Sequence, residues 1–160
     1  MREDLLRPSL TNAPPAVGLY SITWSLLPGF FLGPFPVILY SALNSYRLRR
    51  WLDVPIYLLA IAGVIGVMIA TTTNPLPEAV QWFAQATGAR QPMYTMLRVY
   101  AVLLWGGFYL LHRQQHRSSN MLTDLPSAWI PCLVCTVLGV GMTYGTAHAT
   151  DFVLALMVSK

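Results

Sequence analysis

Charge is what this chain lacks most. Asp, Glu, Lys and Arg make up 10% of its 160 residues, against about 25% in soluble domains. Lysine is nearly absent, with Lys160 alone beside nine arginines, and acids number six. Two cysteines, Cys132 and Cys135, are too few for a disulfide framework. No repeat of 20–50 residues and no low-complexity tract interrupts the chain. These absences exclude a repeat scaffold and a conventional soluble core.

What fills the space is apolar. Hydrophobic residues make up 55% of the chain, gathered in four runs at Val17–Tyr46, Trp51–Thr73, Met93–His112 and Ala128–Ala147. About 20 such residues carry a helix across a hydrocarbon layer ~30 Å thick. The expectation is one integral membrane domain over 1–160, an all-α polytopic bundle of four spans. The first 16 residues are polar and Pro-rich and the first run is too long for a signal peptide core, so that run reads as a retained span. No lipidation signature is visible.

Arginines set the expected orientation, because short cytoplasmic loops are enriched in them. The first connection carries Arg47, Arg49 and Arg50 and the third Arg113 and Arg117, whereas the second has only Arg90. Loops 47–51 and 113–127 are thus expected in the cytoplasm and both termini on the opposite side. Arginines that flank apolar runs are a topology signal and not a nucleic-acid stripe. The expected partners are the lipid bilayer and other membrane subunits, or a second copy of the chain, with no nucleic acid.

The first run is the irregular one. Pro28, Gly29, Gly33, Pro34 and Pro36 fall near its middle, and prolines inside a helix remove hydrogen bonds and clash with the preceding turn. A kinked span packed against its neighbours is expected. The alternative is a discontinuous helix or re-entrant hairpin, which survives at membrane depth only where protein or water shields the backbone. In that case the N-terminus moves to the cytoplasm and three segments span.

Small residues recur at close-packing intervals: Ala62, Gly66 and Ala70 in the second run, and Gly139, Gly141 and Gly145 in the fourth. Without a hydrophobic drive inside lipid, such positions let helix backbones approach, and packing within the bundle is the expected use. Between runs two and three, the pattern over 78–87 predicts a short amphipathic helix on the outer interface, with Trp82 and Phe83 as anchors. Trp51 and Trp129 are placed at interfaces by the same logic.

Polar candidates are few. Arg98 lies five residues into the third run, and His148 and Asp151 follow the fourth on the same expected side. An Arg98–Asp151 pair, with His148 beside it, is the candidate intramembrane cluster, as a structural pair or a relay. Cys132 and Cys135 have CxxC spacing but sit mid-span, where small buried thiols pack. His112 and His116 share a helical face, yet Arg113 and Arg117 crowd it and no HEXXH pattern follows. A basic cluster touching anionic lipid is the reading there. Asp53 stands at a span edge beside Arg49 and Arg50. No metal set and no catalytic set is predicted, no cofactor is indicated, and bound lipid, haem or pigment stays open.

The stretch Phe31-Leu-Gly-Pro-Phe-Pro, followed by Leu43-Asn44-Ser-Tyr46-Arg47, resembles the first helix of a group of small bacterial four-helix membrane proteins. These pair a Gly-Pro-rich break with an Asn-x-x-Arg exit and have no assigned activity. The resemblance implies a bacterial inner membrane. The expected function is a non-catalytic accessory or assembly subunit of a larger membrane complex. Alternatives are a small transporter or channel component built on the broken first helix, a membrane immunity protein, and an enzyme using His148 or His112/His116.

Overall fold

The computed structural model describes residues 20–72, 78–88, 91–122 and 127–158, with side chains from 114 to 122 and beyond 156 left aside. The described residues form helices and no strand. In chain order these are α1 (Leu26–Leu32), α2 (Pro34–Arg47), α3 (Val54–Thr72), α4 (Glu78–Thr87), α5 (Pro92–Leu122) and α6 (Trp129–Val158). Short 3-10 turns at Ile22–Ser25 and Trp51–Asp53 lead into α1 and α3.

Among the described residues three stretches, not four, are long and apolar enough to cross a membrane: Trp51–Thr72, Pro92–Arg113 and Trp129–Leu156. Only 22%, 17% and 17% of their apolar windows are buried inside the protein, so most of that surface needs lipid as solvent. The first expected span is instead a helical hairpin. Tyr20 is hydrogen-bonded to Asn44 and Ser21 to Tyr40 across it, and Gly29 packs on Val37. Those pairings close on Gly33 at the tip. An α2 of 14 residues is ~21 Å long at 1.5 Å per residue, too short to span and long enough to re-enter.

Gly33 makes the reversal. Its φ of 102° with ψ of −173° is a conformation open essentially to glycine alone. The prolines that read as helix breakers do not break a helix here. Pro34 and Pro36 are the first and third residues of α2, and Pro28 is the third of α1. First-turn N–H groups have no intrahelical partner, so proline there forfeits no bond. The same holds for Pro55, Pro92 and Pro131, each within the first three residues of its helix. At five of the six helix starts, α4 excepted, proline stands among the first residues.

The hairpin is the centre of the molecule. α2 packs against α3, α5 and α6, and α1 against α5 and α6. Phe35, Val37 and Ile38 from α2 form one core with Tyr57, Ala60, Val64 and Met68 from α3 and Leu97 and Phe108 from α5. Tyr40 packs with Cys132 and Cys135 of α6. Against α6 the approach is close, because a Cβ at Gly139 would fall 2.6 Å from the Pro36 backbone nitrogen.

Since Tyr20 lies beside Asn44 and Arg47, the chain enters the hairpin from the end where it leaves. The four-span expectation put these points on opposite sides. α4 packs on α5, burying Val80, leaving Phe83 half-buried and Trp82 exposed.

Candidate functional site

A buried polar cluster gathers at the Arg-flanked end, where three elements meet. Ser41, Asn44 and Ser45 occupy one face of α2 by their three- and four-residue spacing. The 3-10 turn delivers Asp53 to the head of α3, with Tyr57 one turn on. His112 projects from α5. Asp53 is 2% exposed, Ser45 3% and His112 0%. Buried polar groups at such a site must be partnered or they destabilise the fold.

Ser45 is the junction. Its Oγ donates to Asp53 Oδ2 at 2.7 Å and lies 2.6 Å from the Tyr57 hydroxyl and 2.9 Å from His112 Nε2. Tyr57 also reaches the Ser41 carbonyl at 3.0 Å and the Ser41 hydroxyl at 3.1 Å. His112 Nδ1 faces the Phe108 carbonyl at 3.0 Å. A carbonyl only accepts, so Nδ1 carries a proton. Arg50 closes the outer side with a contact of 3.3 Å to Asp53 Oδ1, and His112 Nε2 lies 3.8 Å from Asp53 Oδ2.

Proton counting gives this cluster its chemistry. Ser45 has one hydrogen, and both Asp53 and Nε2 lie within its reach. When the hydrogen goes to Asp53, the contact to Nε2 is a hydrogen bond only if Nε2 is itself protonated. The Ser45 hydroxyl thus ties together groups from α2, α3 and α5. It is not arranged for nucleophilic catalysis. In a Ser-His-Asp triad the acid orients the imidazole through the far nitrogen, whereas here Asp53 and Ser45 both face Nε2.

Beside it, a second set of bonds ties down the chain that enters α1. Asn44 Oδ1 accepts from the Tyr20 N–H at 3.1 Å, and Asn44 Nδ2 donates to the Tyr20 carbonyl at 3.2 Å. The Tyr40 hydroxyl donates to the Ser21 carbonyl at 2.9 Å, and Cys132 Sγ donates to the Trp24 carbonyl at 3.2 Å. Arg47 stacks its guanidinium 4.3 Å above the Tyr20 ring. Its Nη1 is buried with no hydrogen-bond partner, so the ring face supplies the compensation.

The sequence-derived candidates are distributed differently. Arg98 is exposed and lines a cavity of about 150 Å³ with Gly33, Thr143 and Tyr144. That unites it with the hairpin tip at Gly33, a proximity the sequence does not show. His148 and Asp151 are exposed on α6, and no ion pair joins either to Arg98. Of the small residues, Gly139 sits against Pro36, Ala70 is half-buried and Ala62 is exposed. Gly66, Gly141 and Gly145 are exposed with nothing within 4 Å of where a Cβ would stand. Cys132 and Cys135 are buried free thiols. His116, Arg117 and Arg90 fall outside the residues whose side chains are described.

Sequence reasoning missed the Asp53–Ser45–His112 junction, although one sign was there. Asp53 was an acid at the edge of an apolar run, and Ser41, Asn44 and Ser45 shared a helical face aimed at it. Among the described residues no three His, Cys, Asp or Glu lie close enough to hold a metal. Comparison with family models, characterised proteins and solved structures returns no match.

Proposed function

We propose that this chain is a non-catalytic accessory or assembly subunit, embedded in a bacterial inner membrane and packed within a larger membrane complex. The observation that carries the reading is the outward-facing glycine surface. Gly66 on α3 and Gly141 and Gly145 on α6 face away from the protein with no atom against them. Inside lipid, such positions suit a neighbouring helix, since dispersion contacts and close backbone approach drive association there. The centre supports the same reading. Phe35, Val37, Ile38, Val64 and Met68 fill the layer between the two polar ends, which suits a scaffold better than a conduit.

In this arrangement the Arg47–Arg50 end faces the cytoplasm by the positive-inside rule. The chain enters the hairpin from that side, and the end of α6 lies opposite. α4 rests on the outer interface with Trp82 as an anchor.

The test is extraction in a mild detergent with a tag on the chain. Stoichiometric membrane subunits should copurify, and Gly66→Leu together with Gly141→Leu should release them while the helical signal stays unchanged. Purification of the chain alone, or as a homo-oligomer indifferent to both substitutions, overturns the reading. A transporter component is the second reading, supported by the re-entrant tip and the Arg98 cavity beside it. Solute-selective liposome flux abolished by Pro34→Ala would favour it.

A further inference from the structure

Arg98 stands inside a crossing segment without a counter-charge. It follows the start of Pro92–Arg113 by ~9 Å of helix at 1.5 Å per residue. Among the described residues it makes no ion pair. Ionisable groups at such depth ordinarily face a protein interior or a cavity and pair there with an opposite charge. Arg98 has the cavity and lacks the partner.

That cavity, of about 150 Å³, lies at the hairpin tip. Gly33 at the reversal, Met68 of α3, Leu97 of α5 and Val140 of α6 all border it. Leu97 is 2% exposed and Met68 1%, so its floor is continuous with the core. Thr143 gives its hydroxyl hydrogen to the Gly139 carbonyl at 2.9 Å and offers the interior no donor. Tyr94 and Arg98, one turn apart on α5, and Tyr144 on α6 also line it. Because these three are exposed as well, they stand at its mouth. No acid is among the lining residues. The interior therefore suits an apolar group, and the mouth carries a single positive charge. The volume of about 150 Å³ is about five times the ~30 Å³ share of one water in the liquid, room for about five heavy atoms.

We propose that this cavity binds a short-chain carboxylate, with its alkyl tail between Met68 and Leu97 and its carboxylate on Arg98 at the mouth. A guanidinium fork matches the two oxygens of a carboxylate, and a monoanion balances the one charge. A neutral alcohol of equal size fills the interior but gains nothing from Arg98, and an alkylammonium is repelled by it. The inference concerns binding alone and holds whether or not the chain passes a solute. It also stands apart from the surface proposed for assembly, since Gly66, Gly141 and Gly145 are not in the lining.

The experiment uses the full chain in phosphatidylcholine nanodiscs and a hexanoate with a photoreactive diazirine on its tail. Crosslinked residues are located by peptide mass spectrometry. Labelling should fall on Met68, Met93, Leu97 or Val140, which border the cavity, and unlabelled hexanoate should suppress it. Hexanol should compete about tenfold less well, the loss expected when one charge-assisted hydrogen bond is missing, and hexylamine not at all. Arg98→Gln should bring hexanoate down to the level of hexanol, whereas Asp151→Asn should change nothing. Arg98 is exposed and joined to no acid, so unfolding does not account for that loss. Equal competition by hexanoate and hexanol, or unchanged competition in Arg98→Gln, overturns the proposal. So does labelling spread over lipid-facing residues such as Leu103 and Leu133, both more than half exposed. A chain that enters the disc without saturable labelling overturns the carboxylate site alone; one that never enters overturns the membrane reading as well.

Discussion

The two ends of this molecule handle polar groups in opposite ways. At the Arg-flanked end, Ser45, Asp53, Tyr57 and His112 are buried and bonded to one another across three elements. At the other end, Arg98, His148 and Asp151 are exposed and unjoined. The first arrangement fixes the base of the hairpin. The second leaves its tip held by shape, through Gly33 and the contact of Gly139 with Pro36. Buried polar groups stabilise a fold when they are satisfied, as Ser45, Asp53, Tyr57 and His112 are at the base; at the tip the polar groups are exposed instead.

The largest effect should come from opening the base. Asp53→Ala removes the acceptor of the Ser45 hydroxyl and the carboxylate that faces Arg50 and His112. Breaking a fully buried charged pair costs about 3–5 kcal/mol; with Arg50 partly exposed the loss here should be about 2–4 kcal/mol, measurable as a lower unfolding midpoint in detergent. A loss below about 1 kcal/mol would mean that water already reaches the cluster. Next is the shape-held tip. Gly139→Ala places a methyl against the Pro36 backbone, which no side-chain rotation relieves, and overpacking of this kind costs about 1–3 kcal/mol. Gly141→Ala, with open space around it, is the matched control and should cost much less.

These two positions show what the sequence could and could not convey. Apolar run lengths locate the three helices long enough to cross a membrane, because lipid imposes a length that composition alone can meet. The outcome at 17–46 turned on Gly33. One backbone conformation decides between a kink and a reversal, and the letters Gly-Pro are compatible with both. The prolines were legible as interruptions but not as helix starts, since that depends on where the preceding helix stops. The base cluster joins residues up to 67 positions apart, a proximity no local spacing encodes. The opposite error arose at Arg98 and Asp151, where a shared end of the bundle suggested a contact that the facing of the helices does not make.

Two smaller measurements sharpen the contrast. Arg49 has a φ of 54°, and Arg49→Gly should raise stability by about 1 kcal/mol, the cost of a left-handed non-glycine residue, read as a higher unfolding midpoint in lipid-free detergent. Unchanged or lower stability would mean that the Arg49 side chain supports the fold itself. At the tip end, Arg98→Ala and Asp151→Ala should be additive to within about 0.5 kcal/mol, as for sites sharing no partner. A larger coupling in that double-mutant cycle would restore the ion pair that the structure lacks.

The position of the hairpin also dictates an order of events during biosynthesis. α1 and α2 leave the ribosome before α5 and α6, yet their innermost faces are covered by those later helices. The earliest helices must therefore wait, near the membrane surface or within the insertion machinery, until Gly139 arrives to seat Pro36. Truncation before α6 should leave a protease-accessible amino-terminal region, although every residue of the hairpin has already been synthesised.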